Sequence, residues 1–307
     1  MRRVELRSQE TKVSTFFTEP LGSGLGASIK GLKLGRSLGH ETFDRILHLL
    51  TERQVLYFHD QDLRPEELLQ IARLFGKPQV HPIWPATPGY PEVLRVAKNP
   101  GEEDPITSKP MTVTSFFEMP SKIILLYSDQ DETVCDYLFT SLTEAFDGLS
   151  RPMQDFLANF TAMHSPVVEF GPDKRQNAYF QGQASSSLTY SDAIFEQTEH
   201  PLIHVHPETG RKSLYVNETF TRSIIGLKEE ESAYLLRFLF AHCARPEFGC
   251  RIPIRPKSLV ICDSRVTTQA TTRASLGQSR LLYGVAIANE ETIKSSQDLP
   301  SPNDLLI

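Results

Sequence analysis

Apolar residues near the start of the chain follow the spacing of two amphipathic helices separated by one buried strand. Residues 40–53 place Ile46 and Leu50 on one helical face, and residues 54–60 form a short, nearly continuous apolar run. Residues 64–76 carry a proline and two glutamates in the first turn and a glycine at the end, which are helix start and stop signals. The pattern therefore predicts helix, strand and helix in that order.

Beyond residue 76 short strand-like runs dominate the chain. Helical spacing returns at residues 143–164 and 229–244, and residues 171–198 are polar and irregular, as in a mobile loop or lid. The predicted strands are residues 92–97, 122–128, 136–142, 166–170, 202–207, 212–217, 250–256, 258–264 and 279–287. Many short strands with few helices predict an α+β fold, a barrel or sandwich with flanking helices.

Composition narrows the classes of function. The chain has 307 residues, a formal net charge of -6 and 39% hydrophobic residues, so a surface that binds nucleic acid is not expected. We find neither an apolar run long enough to span a membrane nor a secretory signal. The four cysteines, Cys135, Cys243, Cys250 and Cys262, are scattered, which is typical of reduced structural thiols. These observations predict a cytoplasmic protein without nucleic-acid or membrane partners.

Four motifs give the chain a family resemblance. They are "QVLYFHDQDLRPEELLQIARLFGKPQVHP", "HPETGRKSLYVNETFT", "LLRFLFAHCARPEF" and "DSRVTTQA". With them the chain resembles the taurine dioxygenase (TauD/TfdA) family of iron(II)- and 2-oxoglutarate-dependent oxygenases over nearly its whole length. The resemblance implies an α+β fold with a double-stranded β-helix (jelly-roll or cupin-like) core and flanking helices. It also implies one domain, residues 1–307.

The resemblance also locates the family's iron triad, a His-x-Asp pair and a distant His. Setting "FFEMPS" against the family's "FIETPP" puts Met111 and Val113 at the first two ligand positions, and Gln269 follows "DSRVTT" at the third. A thioether, an alkyl group and a neutral amide are poor ligands for iron(II). The comparison therefore predicts that all three ligand positions are vacated and that the protein uses neither a metal nor another cofactor.

The co-substrate site is only partly kept in this comparison. Arg280 matches the family's arginine for the distal carboxylate of 2-oxoglutarate, and a guanidinium suits that task because it pairs bidentately with a carboxylate. Gly284 stands where taurine dioxygenase has a sulfonate-binding arginine. Tyr137 stands where a threonine normally touches the oxoacid, so it is either a new proton donor or a cavity filler.

Four further residues are candidates for substrate contact or catalysis. His81 matches a substrate-facing position and is the leading acid–base candidate, with Tyr137 beside it, because a histidine titrates near neutrality. Trp84, Phe116 and Phe220 match or adjoin aromatic substrate contacts, although packing explains them nearly as well. Asp263 and Arg265 are interpreted as structural, and the histidines at 200, 204 and 206 are not assigned to a metal.

Three functional hypotheses follow from this comparison. The first is a cofactor-independent enzyme that isomerises, cyclises, eliminates or hydrolyses a small carboxylate-bearing substrate. The second is a non-catalytic partner subunit, in a homo-oligomer or in a heterodimer with an active oxygenase, and the third is a metal enzyme with atypical ligands. An open, polar cavity of several hundred cubic ångströms would favour ligand chemistry, whereas a plugged pocket would favour the partner subunit.

Overall fold

The computed structural model describes residues 16–35, 38–98, 109–129, 135–173, 191–272 and 280–290. Within these ranges the α-helices are α1 (His40–Arg53), α2 (Pro65–Phe75), α3 (Leu142–Asp147), α4 (Arg151–Leu157), α5 (Val167–Phe170) and α6 (Glu229–Cys243). The strands in the first half are β1 (Phe17–Pro20), β2 (Ala27–Lys30), β3 (Val55–Phe58), β4 (Pro78–Gln79), β5 (Ala86–Thr87), β6 (Tyr90–Lys98), β7 (Ile123–Ser128) and β8 (Cys135–Ser141). The later strands are β9 (Thr161–His164), β10 (Thr198–Pro201), β11 (Ile203–Val205), β12 (Lys212–Leu214), β13 (Thr221–Ile224), β14 (Gly249–Ile254), β15 (Ser258–Asp263), β16 (Thr267–Thr271) and β17 (Arg280–Ile287).

A large sheet and a smaller one form the body of the fold. The large sheet runs β1-β2-β3-β15-β7-β17-β6-β5, with β4 also paired to β17, and its pairings are antiparallel except for β2 with β3. The smaller sheet runs β14-β8-β16 and is antiparallel throughout. Two further small sheets, β10-β9-β13 and β11-β12, complete the arrangement among the described residues.

The central strands β3, β15 and β7 of the large sheet are buried on both faces, because each face packs against a different layer. In β7, Leu125 and Tyr127 pack with α1 and α2, whereas Ile124 and Leu126 face the smaller sheet. The same alternation recurs in β3 and β15, as the period-two geometry of a strand requires. The apolar residues that face the smaller sheet form a core between the two sheets. This is the place at which a double-stranded β-helix encloses its interior.

Helix α2 shows how the local sequence fixes an element that backs this sheet. Pro65 occupies its first turn, and the side chain of Glu67 accepts a hydrogen bond from the Arg64 backbone N–H at 2.9 Å. Its buried residues, Leu68, Leu69, Ile71, Ala72 and Phe75, cover the outer face of the large sheet. Pattern and fold agree here, as they do for α1.

Several sequence-based predictions of elements are wrong. The helix predicted for 143–164 is broken into α3 and α4, and its last four residues form β9. The strand predicted for 166–170 is the short helix α5, which begins directly after a proline. Of the loop predicted for 171–198, residues 174–190 lie outside the described residues, Asp192–Phe195 form a 3-10 helix, and residue 198 begins β10.

Candidate functional site

A cavity lies between the large sheet and the smaller sheet. Its interior measures about 40 Å³, and the space reaches about 470 Å³ when the open region at its mouth is included. The interior has room for a few water molecules, since one needs about 10–15 Å³. Its lining residues are Trp84, Leu94, Val96, Met111, Val113, Ile124, Leu126, Tyr137, Gln269, Gly284 and Ala286. The recess is therefore mainly apolar, and both sheets contribute to it.

The structure brings Met111, Val113 and Gln269 together, as the sequence comparison predicts. The Met111 N–H donates to the Gln269 carbonyl and the Gln269 N–H donates to the Met111 carbonyl, each at 2.9 Å. Both side chains and Val113 line the same cavity. The Gln269 Oε1 also lies 4.0 Å from the Cys262 thiol, a distance at which sulfur still makes a weak hydrogen bond. That these positions correspond to the family's metal ligands stays a prediction.

The chemistry of these three side chains does not fit iron(II). A thioether is soft, an isopropyl group donates nothing and a neutral amide oxygen is weak, so no anionic oxygen ligand is present among the three. Across the part of the chain that the structure describes, no three His, Cys, Asp or Glu residues converge to hold a metal ion. We therefore derive no chemistry from a metal at this place.

Buried polar residues hold the segment that carries Met111 and Val113. Ser115 receives a hydrogen bond from Asn217 Nδ2 at 2.9 Å and lies 3.2 Å from His164 Nδ1. His200 Nε2 lies 2.9 Å from the Phe117 carbonyl. Burial lowers the pKa of both His164 and His200, the latter to about 4, so both rings stay neutral near pH 7. These two supports were missed from the sequence.

His81 is buried beside the cavity and is not a neutral-pH titrating group. Its Nδ1 accepts hydrogen bonds from the backbone N–H groups of Ile83 at 3.2 Å and Trp84 at 3.3 Å. Burial lowers the pKa of His81 to about 3, although a hydrogen bond with the Val113 backbone opposes this shift. The prediction that His81 titrates near neutrality is wrong, because the fold removes the ring from water. Its catalytic role stays a prediction.

The predicted aromatic contacts divide into one lining residue and two packing residues. Trp84 lines the cavity, whereas Phe116 and Phe220 are fully buried in an apolar cluster with Met111 and Phe170. The Phe116 and Phe220 ring centroids lie 4.9 Å apart in an edge-to-face arrangement. Packing accounts for these two rings in the structure, and their contact with substrate stays a prediction.

Tyr137 and Arg280 both lie on the side of the fold that faces the cavity. Tyr137 lines it and stacks on Phe139, with ring centroids 6.0 Å apart. Arg280 is 3% exposed at the start of β17, and strand alternation puts it on the same face as the lining residues Gly284 and Ala286. Their predicted roles as proton donor and carboxylate clamp stay predictions.

Asp263 and Arg265 form a buried charged network at the turn between β15 and β16. The Arg265 Nε donates to Asp263 Oδ1 at 3.0 Å, and His206 Nε2 lies 2.9 Å from Asp263 Oδ2. Arg265 also donates to Glu208 at 3.0 Å. Arg265 and the His206 hydrogen bond hold the pKa of the Asp263 carboxyl well below its ordinary value, although burial opposes them. The network fixes the turn that leads to Gln269, in agreement with the structural role inferred from the sequence.

A family model described as "Taurine catabolism dioxygenase TauD, TfdA family" matches residues 18–285. The chain belongs to the TauD/TfdA family. A crystal structure of a taurine dioxygenase from Burkholderia xenovorans superposes with a TM-score of 0.75 and 27% identity, covering 92% of this chain and 94% of that one. The likeness confirms the α+β, jelly-roll (cupin-like) fold expected from the sequence.

Two curated relatives show what TauD/TfdA proteins of similar sequence are named for. An alkylsulfatase of Acinetobacter baylyi is 30% identical over 269 residues, which are 87% of this chain and 83% of that protein. An alpha-ketoglutarate-dependent sulfonate dioxygenase of Saccharomyces cerevisiae is 30% identical over 254 residues, which are 78% of this chain and 59% of the yeast protein. Both relatives are named as enzymes, and this chain belongs to the same family.

These relatives correct the function predicted from the sequence. The sequence alone predicts a metal-independent transformation, or a partner subunit without activity, but two TauD/TfdA proteins similar over most of this chain are named as alpha-ketoglutarate-dependent dioxygenases. The three substituted positions alone were too narrow a basis for that expectation.

Among the helices that the structure describes, none is long and apolar enough to cross a membrane.

Proposed function

We propose that the protein is an enzyme of the TauD/TfdA family that binds a small organic acid of the α-ketoglutarate class. The support is the family match over residues 18–285 together with a cavity between the two sheets. The names of the relatives add that this class of co-substrate is used across proteins similar to this chain. A second, compact organic substrate with an apolar part is proposed for the lining next to Leu94 and Leu126.

The observation that carries this proposal is the face of β17 that looks toward the smaller sheet. Arg280, Leu282, Gly284 and Ala286 share that face, so a buried guanidinium stands at one end of it and the two small residues line the cavity on the far side of Leu282. A guanidinium pairs bidentately with a carboxylate, and small residues leave room for the rest of an organic molecule. The strand therefore offers one anchoring charge and space beside it.

The volume of the cavity affects how such a ligand binds. Its interior of about 40 Å³ is well below the roughly 300–1,000 Å³ of common ligand pockets, but its open mouth adds further space. Trp84 lines the cavity and is only partly buried, so movement of its ring would enlarge the recess. We therefore expect binding to be accompanied by a change in the environment of Trp84, the one tryptophan of the chain.

Ligand binding to the full chain tests the proposal. We expect α-ketoglutarate to raise the melting temperature and to change tryptophan fluorescence, with and without added iron(II) under anaerobic conditions. Arg280→Ala should lose this response, whereas Arg251→Ala, which removes an exposed arginine of β14, should keep it. A wild-type protein that responds to no 2-oxo acid or related carboxylate would overturn the proposal. Succinate formation from α-ketoglutarate measures whether the reaction named for the relatives takes place.

A further inference from the structure

The described lining of the cavity between the two sheets carries no charged side chain. The eleven described residues that form it are apolar except for the phenol of Tyr137 and the amide of Gln269, and both of these groups are neutral at pH 7. Arg280 shares the inner face of β17 but lies beyond Leu282, and the proposed function assigns it to the carboxylate of the co-substrate. A second molecule in this cavity therefore meets no charged partner among these lining residues.

Gly284 forms the floor of a narrow groove in the same cavity. It pairs with Leu94 of β6 on one side and with Leu126 of β7 on the other. Neighbouring strands lie about 4.8 Å apart, so the missing side chain leaves a gap about one strand wide between the two leucines. A Cβ atom at Gly284 would lie 3.6 Å from side-chain atoms of both leucines. A groove with apolar walls this close together suits a flat ring or an unbranched alkyl chain.

Gln269 supplies a neutral hydrogen-bond donor to the cavity from the smaller sheet. Its Oε1 lies 4.0 Å from the Cys262 thiol, so the thiol is placed to donate to this oxygen. The amide N–H₂ group of the same side chain is a donor that suits a neutral oxygen, such as that of a carbonyl, an ether or a sulfone. An amide can also bond to an anion, but it does not neutralise the charge.

An anion placed in this cavity would lose its water without gaining a counter-charge from the lining. Burying an unpaired ionised group is far more costly than burying a neutral polar group that finds a hydrogen bond. We propose that the second substrate of this cavity is uncharged, with a flat or unbranched apolar body and at most a neutral oxygen. This inference rests on the proposed function for the existence of a second substrate. It separates this chain from the two relatives named for sulfonates and sulfate esters, because such compounds are anions.

Two probes of nearly equal size test the charge of the ligand. Phenyl methyl sulfone and benzenesulfonate differ in one methyl group, which replaces a charged oxygen. Ligand-detected NMR on the full chain measures both affinities, with and without α-ketoglutarate. We expect the sulfone to bind about ten-fold more tightly or better. Because the probes are also compared without α-ketoglutarate, a failure of the co-substrate to bind is seen separately. A protein that prefers the sulfonate, binds both probes equally or binds neither overturns the proposal.

A cation added to the cavity should reverse this preference. Gln269 is only half-buried, so Gln269→Lys keeps its charge near water and places it in the lining. We expect this variant to bind benzenesulfonate more tightly than the sulfone. Leu138→Lys is the matched control, since Leu138 is 42% exposed on β8 and points away from the cavity by strand alternation. The control should keep the order of affinities of the wild type, and melting temperatures show that both variants are folded. A folded Gln269→Lys variant that still prefers the sulfone contradicts the placement of the ligand beside Gln269.

Discussion

Met111 and Gln269 are joined through their backbones by two reciprocal hydrogen bonds of 2.9 Å, although the residues come from distant parts of the sequence. Val113 lines the same cavity two residues later. The side chains of Met111 and Gln269 are thus brought together by backbone pairing and not by their own chemistry. Changing the side chains should therefore leave the arrangement intact.

The first prediction is that metal ligands introduced at these positions act together. Met111→His, Val113→Asp and Gln269→His combined should bind cobalt(II), an air-stable probe for iron(II), more tightly than the wild type. Two imidazoles and a carboxylate then face one cavity, which is a ligand set for such metals. Optical titration measures the affinity, and a variant carrying Val113→Asn in place of Val113→Asp is the control. A triple variant that binds no better than this control would show that the side chains do not share a centre.

A second prediction concerns Gly284 on the cavity face of β17. A Cβ atom added there would lie 3.6 Å from side-chain atoms of Leu126 and Leu94, an ordinary contact distance. Gly284→Ala should therefore be neutral or raise the free energy of unfolding by about 0.5–1 kcal/mol, because alanine has less conformational freedom in the unfolded chain. Urea unfolding measures the change.

Gly171→Ala is the contrasting variant for this experiment. A Cβ atom at Gly171 would lie 2.2 Å from the carbonyl oxygen of Val167, a backbone atom that cannot move aside cheaply. This variant should be clearly less stable than the wild type. If both alanine variants unfolded at the same urea concentration, the cavity at Gly284 would not be as open as described.

A third prediction is that Asp263 stabilises the turn before Gln269. Asp263→Asn removes the buried charged partner of Arg265 and His206 and leaves them only the half-exposed Glu208, which should lower the free energy of unfolding by about 3 kcal/mol. The matched control is Asp136→Asn, which breaks an ion pair with the exposed Arg251 and should cost about 1 kcal/mol or less. Equal losses in the two variants would contradict the network.

The lowered pKa of Asp263 predicts that the folded protein loses stability in acid. Its pKa in the folded protein is depressed below the ordinary value of 3.8. The stability that it contributes is therefore fully present above about pH 4 and is lost as the pH falls further through the folded pKa. Asp263→Asn should remove this part of the pH dependence, which unfolding curves below pH 4 would show.

Part of this fold could be predicted from the sequence because some of its strands are apolar along their whole length. Runs such as those of β7 and β15 are buried on both faces, so they stand out without any partner being known. By contrast β9 is four residues long and continues a helical pattern, so only its pairing with β10 and β13 identifies it as a strand. Short strands are set by tertiary pairing, which local patterns do not contain.

Some features of the candidate site could likewise be predicted from the sequence, and others could not. The meeting of Met111 with Gln269 follows from a family resemblance, because it depends on where two matched segments lie in a known fold. The support that His200 gives to the Phe117 carbonyl could not be predicted, since a backbone acceptor leaves no trace in residue type. The low pKa of His81 also required the fold, because burial and not a neighbouring charge causes it.

The last prediction follows from His81. Its folded pKa of about 3 lies below the ordinary value of 6.5, so between these limits the unfolded chain binds a proton that the folded protein does not. The free energy of unfolding must therefore fall as the pH is lowered from 6.5, with His81 contributing about 1.4 kcal/mol per pH unit.

His81→Gln should reduce the dependence of stability on pH in this window by that amount. His164 and His200, whose pKa values are also lowered by burial, continue to contribute in the variant, so some dependence remains. Urea unfolding at a series of pH values between about 4 and 7 measures the difference in slope. If His81→Gln left the slope unchanged, water would have to reach the ring in the folded state. The expectation that His81 titrates near neutrality would then stand.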